Sequence, residues 1–75
     1  MRQVVIVSPE VPLGAALSGA RKLAATTQAE LASAIGTSQC AVSLIESGDR
    51  DPRWSTVLAI CRALDSELSY QEPDP

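Results

Sequence analysis

The feature that most restricts this chain is the punctuation of residues 26–48, TTQAELASAIGTSQCAVSLIESG. Thr27 and Glu30 have the spacing of a capping box, in which the threonine hydroxyl and the glutamate carboxylate each take a backbone N–H that a helix start leaves free. Leu31, Ala32 and Ile35 follow at apolar helical positions. Gly36 then supplies the left-handed conformation of a helix end, and Ser38 is placed to cap a second helix whose inward face is Val42 and Ile45. The stretch predicts two short helices joined by a tight turn, the second with an outer face of Gln39, Cys40, Ser43 and Leu44.

Helical signals flank this unit. Leu13, Ala16, Leu17, Ala20 and Ala24 recur on one face, which predicts a helix over residues 12–25. Residues 48–52, GDRDP, are turn chemistry, with Asp51 as a candidate N-cap and Pro52 at a first helical position. A fourth helix then carries Trp54, Val57, Leu58, Cys61 and Leu64 on one face with Ile60 beside them, and ends near residues 65–66. On this reading it is the lid of the core, with Trp54 as an anchor.

The two ends have a different texture. Residues 2–8, RQVVIVS, are β-branched and apolar, and residues 67–71, ELSYQ, alternate as a half-buried strand does. An isolated two-stranded pairing is marginal, so these segments are expected to pair with each other or across a dimer. The expected organisation is an N-terminal strand-like arm over 1–11, a helical domain over 12–66, and a strand-like segment with an acidic tail over 67–75.

A chain of 75 residues supports one small domain. Its only aromatics are Trp54 and Tyr70, and alanine makes up much of its apolar content, so closely packed short helices are expected and the class is all-α. Cys40 and Cys61 fall within expected helices, without metal-like spacing and without any histidine, so neither a disulfide nor a metal or other cofactor is expected. With no histidine, no acid cluster and no phosphate-binding glycine loop, the chain does not read as an enzyme. No apolar run is long enough for a bilayer, and the first residues lack the apolar core of a signal peptide, which places the chain in a reducing cytoplasm and away from membranes.

The formal net charge of -3 argues at first against a nucleic-acid partner. Residues 1–64, however, hold six bases and five acids, and Asp65, Glu67, Glu72 and Asp74 carry the remaining negative charge. DNA binding is then compatible with the sequence, through few phosphate contacts per subunit and with help from dimerisation.

From Leu13 to Leu64 the chain resembles the phage-repressor and Cro family of helix-turn-helix proteins, also called XRE-type. The residues that carry the resemblance are Leu13, Gly14, Leu17, Arg21, the run 27–32 (TQAELA), Ile35, Gly36, Ser38, Gln39, Val42, Ser43, the run 45–48 (IESG), Pro52 and Leu64. The resemblance implies a lambda-repressor-like four- or five-helix domain that binds operator DNA as a dimer. The chain departs from the common pattern in having Asp65 where a glycine is expected, no fifth helix, and a strand-like N-terminal arm. A strand in place of the fifth helix is similar to the DNA-binding antitoxins of type II toxin-antitoxin systems, which leaves a toxin protein open as a second partner and an interaction module as the rival function.

The resemblance assigns the first exposed residues of the second motif helix to the major groove. Gln39 has the geometry to pair with the N6 and N7 edge of adenine, Cys40 or Leu44 to touch a thymine methyl, and Ser43 to bond to base or phosphate. The competing reading makes all four ordinary solvated residues of a surface helix. Gln28, at the start of the first motif helix, reads as a phosphate clamp, with Thr27 and Ser38 nearby and mainly capping. Arg50 and Arg53 are the cations available for the backbone, or alternatively partners for Asp49 and Asp51. Arg21 and Glu46 occupy positions that family members join by a structural salt bridge. Cys40 at an exposed helix start also admits redox sensitivity, while Cys61 reads as core.

Overall fold

The chain, described over residues 2–72 by a computed structural model, runs β1 (Gln3–Val7), α1 (Leu13–Leu23), α2 (Gln28–Ile35), α3 (Gln39–Ser47), α4 (Trp54–Ala63) and β2 (Ser66–Tyr70). Asp74 and the two prolines that close the acidic tail lie outside the described residues.

Local chemistry accounts for the helix boundaries. At the start of α2 the capping box is complete: the Glu30 N–H donates to Thr27 Oγ1 at 3.0 Å, and the Thr27 N–H donates to Glu30 Oε1 at 2.9 Å. At its end Gly36 is left-handed with φ 74°, and the Thr37 N–H reaches back to the Ala32 carbonyl at 2.9 Å. Ser38 caps α3 by accepting from the Ala41 N–H at 3.1 Å. All four helices are followed by a residue of positive φ, namely Ala25, Gly36, Gly48 and Asp65. Two of these have a Cβ. Asp65 takes φ 49°, so an aspartate does the work of the glycine that the family pattern leads one to expect there, and Ala25 takes φ 53°.

The helices α1 and α4 differ from what was read off the sequence. α1 ends at Leu23, because Ala25 turns left-handed and its N–H closes onto the Lys22 carbonyl at 3.0 Å. α4 begins at Trp54, because Arg53 is still extended at ψ 152° and serves as the N-cap residue; Asp51 caps nothing. The loop before it is tied back to α3, with the Leu44 carbonyl accepting from the N–H groups of Asp49 and Arg50. Trp54 is not a core anchor and is 63% exposed. Val57, Ile60, Cys61 and Leu64 form the buried face of α4, and Trp54, one turn earlier, opens the helix beyond the elements that cover that face.

The most deeply buried side chains come from every helix: Leu17 of α1, Leu31 of α2, Val42 of α3, and Val57 and Ile60 of α4. α1 packs on α3 and β1, α2 on α3 and α4, and α4 on β2. Gly14 permits a very close approach of α1 to α3. A Cβ there would collide with the Ile45 carbonyl oxygen and lie 2.9 Å from that of Glu46, so the start of α1 rests directly on the backbone at the end of α3.

β1 and β2 pair with each other, in parallel, with Gln3 opposite Ser66 and Val7 opposite Tyr70. Parallel neighbours need a long crossover, and here the four helices are that crossover. Val5 is 2% exposed and belongs to the core, with Val7 and Leu68 packed against it, so burial as well as hydrogen bonding holds a sheet of only two strands. No helix is long and apolar enough to cross a membrane among the described residues.

Two substitutions test these constraints in thermal or denaturant unfolding. Ala25→Gly relieves a left-handed alanine and is expected to stabilise the fold by about 1 kcal/mol. Gly14→Ala forces α1 off α3 and is expected to destabilise it by about 2 kcal/mol or more.

Candidate nucleic-acid interface

The α2–α3 turn sets how α3 is presented. Val42 and Ile45 are buried and fix its inner face, leaving Gln39, Cys40 and Ser43 exposed together on the outer one. Leu44 is half-buried, so it offers less surface than the other three. Ser38 is exposed but its hydroxyl oxygen is engaged as the cap of α3. Cys40 is an exposed free thiol at the helix start, and Cys61 is buried and free, its thiol pushed up by burial.

Behind this surface lies a charged network that joins three helices. Arg21 Nε donates to Glu46 Oε2 at 2.7 Å and Arg21 Nη2 to Glu46 Oε1 at 2.9 Å, a two-bond fork between side chains only 10% and 8% exposed. Arg21 Nη1 also donates to the Thr26 carbonyl at 2.9 Å, just before α2. Gln28 Nε2 donates to Glu46 Oε1 at 3.1 Å. Burial alone would raise the Glu46 carboxyl, but the hydrogen bonds from Arg21 and Gln28 and the charge of Arg21 outweigh it and hold the group below the usual carboxylate range. The half-buried Gln28 amide is therefore oriented from within, and it retains a second N–H for a ligand outside.

Arg50 and Arg53 are exposed on the loop between α3 and α4 and form no ion pair among the described residues. Asp49, one of their candidate partners, instead accepts from the Ser47 hydroxyl at 2.8 Å. The structure also groups residues that motif reading had passed over. Thr37, Ser55 and Thr56 line an open groove with Ile35, Gly36 and Ala59, where the turn meets the first turn of α4. These residues line one groove only because α4 packs on α2, for which nothing in residues 37–56 is a local signal.

A two-helix motif with a capped, glycine-broken turn, braced by an arginine–glutamate fork and showing a polar outer face, is the architecture of one family of domains. The sequence profile of a helix-turn-helix domain matches residues 12–68, about three quarters of the chain. The chain belongs to this family. It is a helix-turn-helix domain of the phage-repressor and Cro kind, built of four helices and two short strands. No curated protein matches it in sequence. Within this helix-turn-helix domain α2 and α3 are the motif, and Gln28, Gln39, Cys40 and Ser43 lie on or beside it.

The network makes two measurable demands. Arg21→Ala leaves Glu46 buried without its cation and the Thr26 carbonyl without its donor, and is expected to cost about 3 kcal/mol in equilibrium unfolding. The Glu46 contribution follows a depressed folded-state value, so it is complete above the unfolded value of about 4.3 and is lost as pH falls through that value towards the lower folded one. Unfolding titrations between pH 7 and 3 are expected to show this acid loss in the wild-type chain and a shallower one in Glu46→Gln, which starts less stable.

Proposed function

We propose that this domain is a sequence-specific DNA-binding repressor that acts as a dimer on a palindromic operator, with one α3 in each of two successive major grooves about 34 Å apart. The supporting observation is the outer face of α3, where Gln39, Cys40 and Ser43 are exposed side by side while none of them contributes to the core. Gln39 reads an adenine edge through two hydrogen bonds, Ser43 bonds to base or phosphate, and Cys40 and the exposed part of Leu44 meet a thymine methyl. Gln28, Ser38, Arg50 and Arg53 grip the phosphates, with Gln28 aimed by Glu46. So few cations make the affinity of one copy low, which is why the reading includes a dimer; the free thiols of Cys40 and Cys61 agree with its working in a reducing cytoplasm.

Electrophoretic mobility shift with the DNA upstream of its own gene tests this reading. The expected result is a specific shift that weakens steeply with salt, lost about tenfold or more in Gln39→Ala at one base position and weakened on all sequences in Arg50→Ala. Absence of a specific shift below physiological salt would overturn it.

A second reading, that the chain also binds and neutralises a toxin, is supported by the strand β2 standing where the common family pattern has a fifth helix. Co-purification with the product of an adjacent gene tests it, and survival of that partnership in Gln39→Ala would separate it from DNA binding.

A further inference from the structure

Building on the dimer reading, we propose that the dimer is joined through the open edge of β1, which pairs antiparallel with β1 of a second copy to make one four-stranded sheet in the order β2-β1-β1-β2. The inference starts from one hydrogen bond. The Gln71 N–H donates to the Val7 carbonyl at 2.8 Å, and Val7 is the register partner of Tyr70. In a parallel ladder each residue turns its N–H and C=O to the same side and its neighbours turn theirs to the other. Gln3, Val5 and Val7 therefore spend their backbone groups on β2, and the N–H and C=O of Val4 and Ile6 face away from it. No hydrogen bond from the described residues reaches these four groups.

The same two residues carry exposed apolar side chains, Val4 at 50% and Ile6 at 44%. β1 holds no charge, proline or bulge, the devices by which edge strands are ordinarily kept from pairing. The edge is also complementary to itself. A two-fold axis beside Val5 sets Val4 of one copy opposite Ile6 of the other, and each such pair exchanges two N–H to C=O bonds, so all four edge groups on both copies are used. The side chains of Val4 and Ile6 then alternate across the outer face as an apolar stripe. Charge favours this edge over the other one. Antiparallel pairing through β2 would bring together two strands that each hold or adjoin Asp65, Glu67 and Glu72, whereas pairing through β1 sets Arg2, already engaged by Asp65 and Glu67 of its own chain, opposite an uncharged Ser8.

Sedimentation equilibrium of the full chain and of Ile6→Lys, with far-UV circular dichroism to verify folding, tests the edge. The expected result is a wild-type dimer and a folded variant whose dimer dissociation constant is raised about tenfold or more. A dimer unaffected by Ile6→Lys would overturn the β1 edge and leave the dimer reading standing; a wild-type chain that is monomeric both free and on operator DNA would overturn both. Should the lysine variant unfold, disulfide trapping decides by itself. A chain with Val4→Cys and Cys40→Ser is mixed with one carrying Ile6→Cys and Cys40→Ser, and oxidation is expected to give mainly the mixed dimer, since the opposed positions lie about 5.5 Å apart between Cα atoms. Equal yields of mixed and like-with-like dimers, or none at all, would overturn the proposed register.

Discussion

The Arg21–Glu46 fork is the interaction on which the geometry of this domain most depends. It joins α1 to the last turn of α3, and its two satellites, the Thr26 carbonyl and the Gln28 amide, bring the start of α2 to the same point. Three elements that are otherwise held by apolar packing thereby acquire directional constraints, because a guanidinium fork accepts a carboxylate in few orientations. Burial makes the arrangement costly to disturb. A carboxylate this enclosed is tolerable only while its donors remain, so the orientation of the motif and the stability of the fold are the same question here.

Around that pair the helices meet at close range. Gly14 lets α1 lie on the backbone of Ile45 and Glu46, and the small residues Ala16, Ala20 and Ala32 fill the core beside Leu17, Leu31 and Val42. Small side chains shorten the distances between helix axes, and a short interaxial distance is what allows a core of modest side-chain volume to exclude water. The two chain ends then close over this bundle as a parallel pair, with Val5 inserted from above and Leu68 beside it. A chain whose ends are both stitched into the sheet cannot unravel from either terminus without exposing the core.

The division between holding and presenting is sharp along residues 26–48. Thr27, Glu30, Gly36 and Ser38 shape the turn, Leu31, Ala32, Val42 and Ile45 bury it, and Glu46 braces it. What remains outward on α3 is short, polar and unused by the fold. That separation lets outer residues change without disturbing the scaffold. It also explains why Gln28 is unlike the others, as it touches the brace and the surface at once.

Much of this was legible in the residues themselves. The capping box, the Gly36 break, the Ser38 cap and the buried pairs on α2 and α3 are set by interactions within four or five residues, and such interactions are the same in any context. The exposure of Trp54, the start of α4 at Trp54 with Arg53 as its N-cap and the left-handed Ala25 were not legible, because each depends on how far a neighbouring element reaches. By itself the sequence determined four short helices, a tight turn in the middle and two β-prone ends. Only the tertiary structure decided that the ends run parallel, that β1 is left with an unpaired apolar edge, and that Gln28 joins the Arg21–Glu46 pair implied by the family resemblance. Residues so far apart in the chain, such as Gln3 and Ser66, are brought together by the packing of everything between them, and no local preference records that outcome.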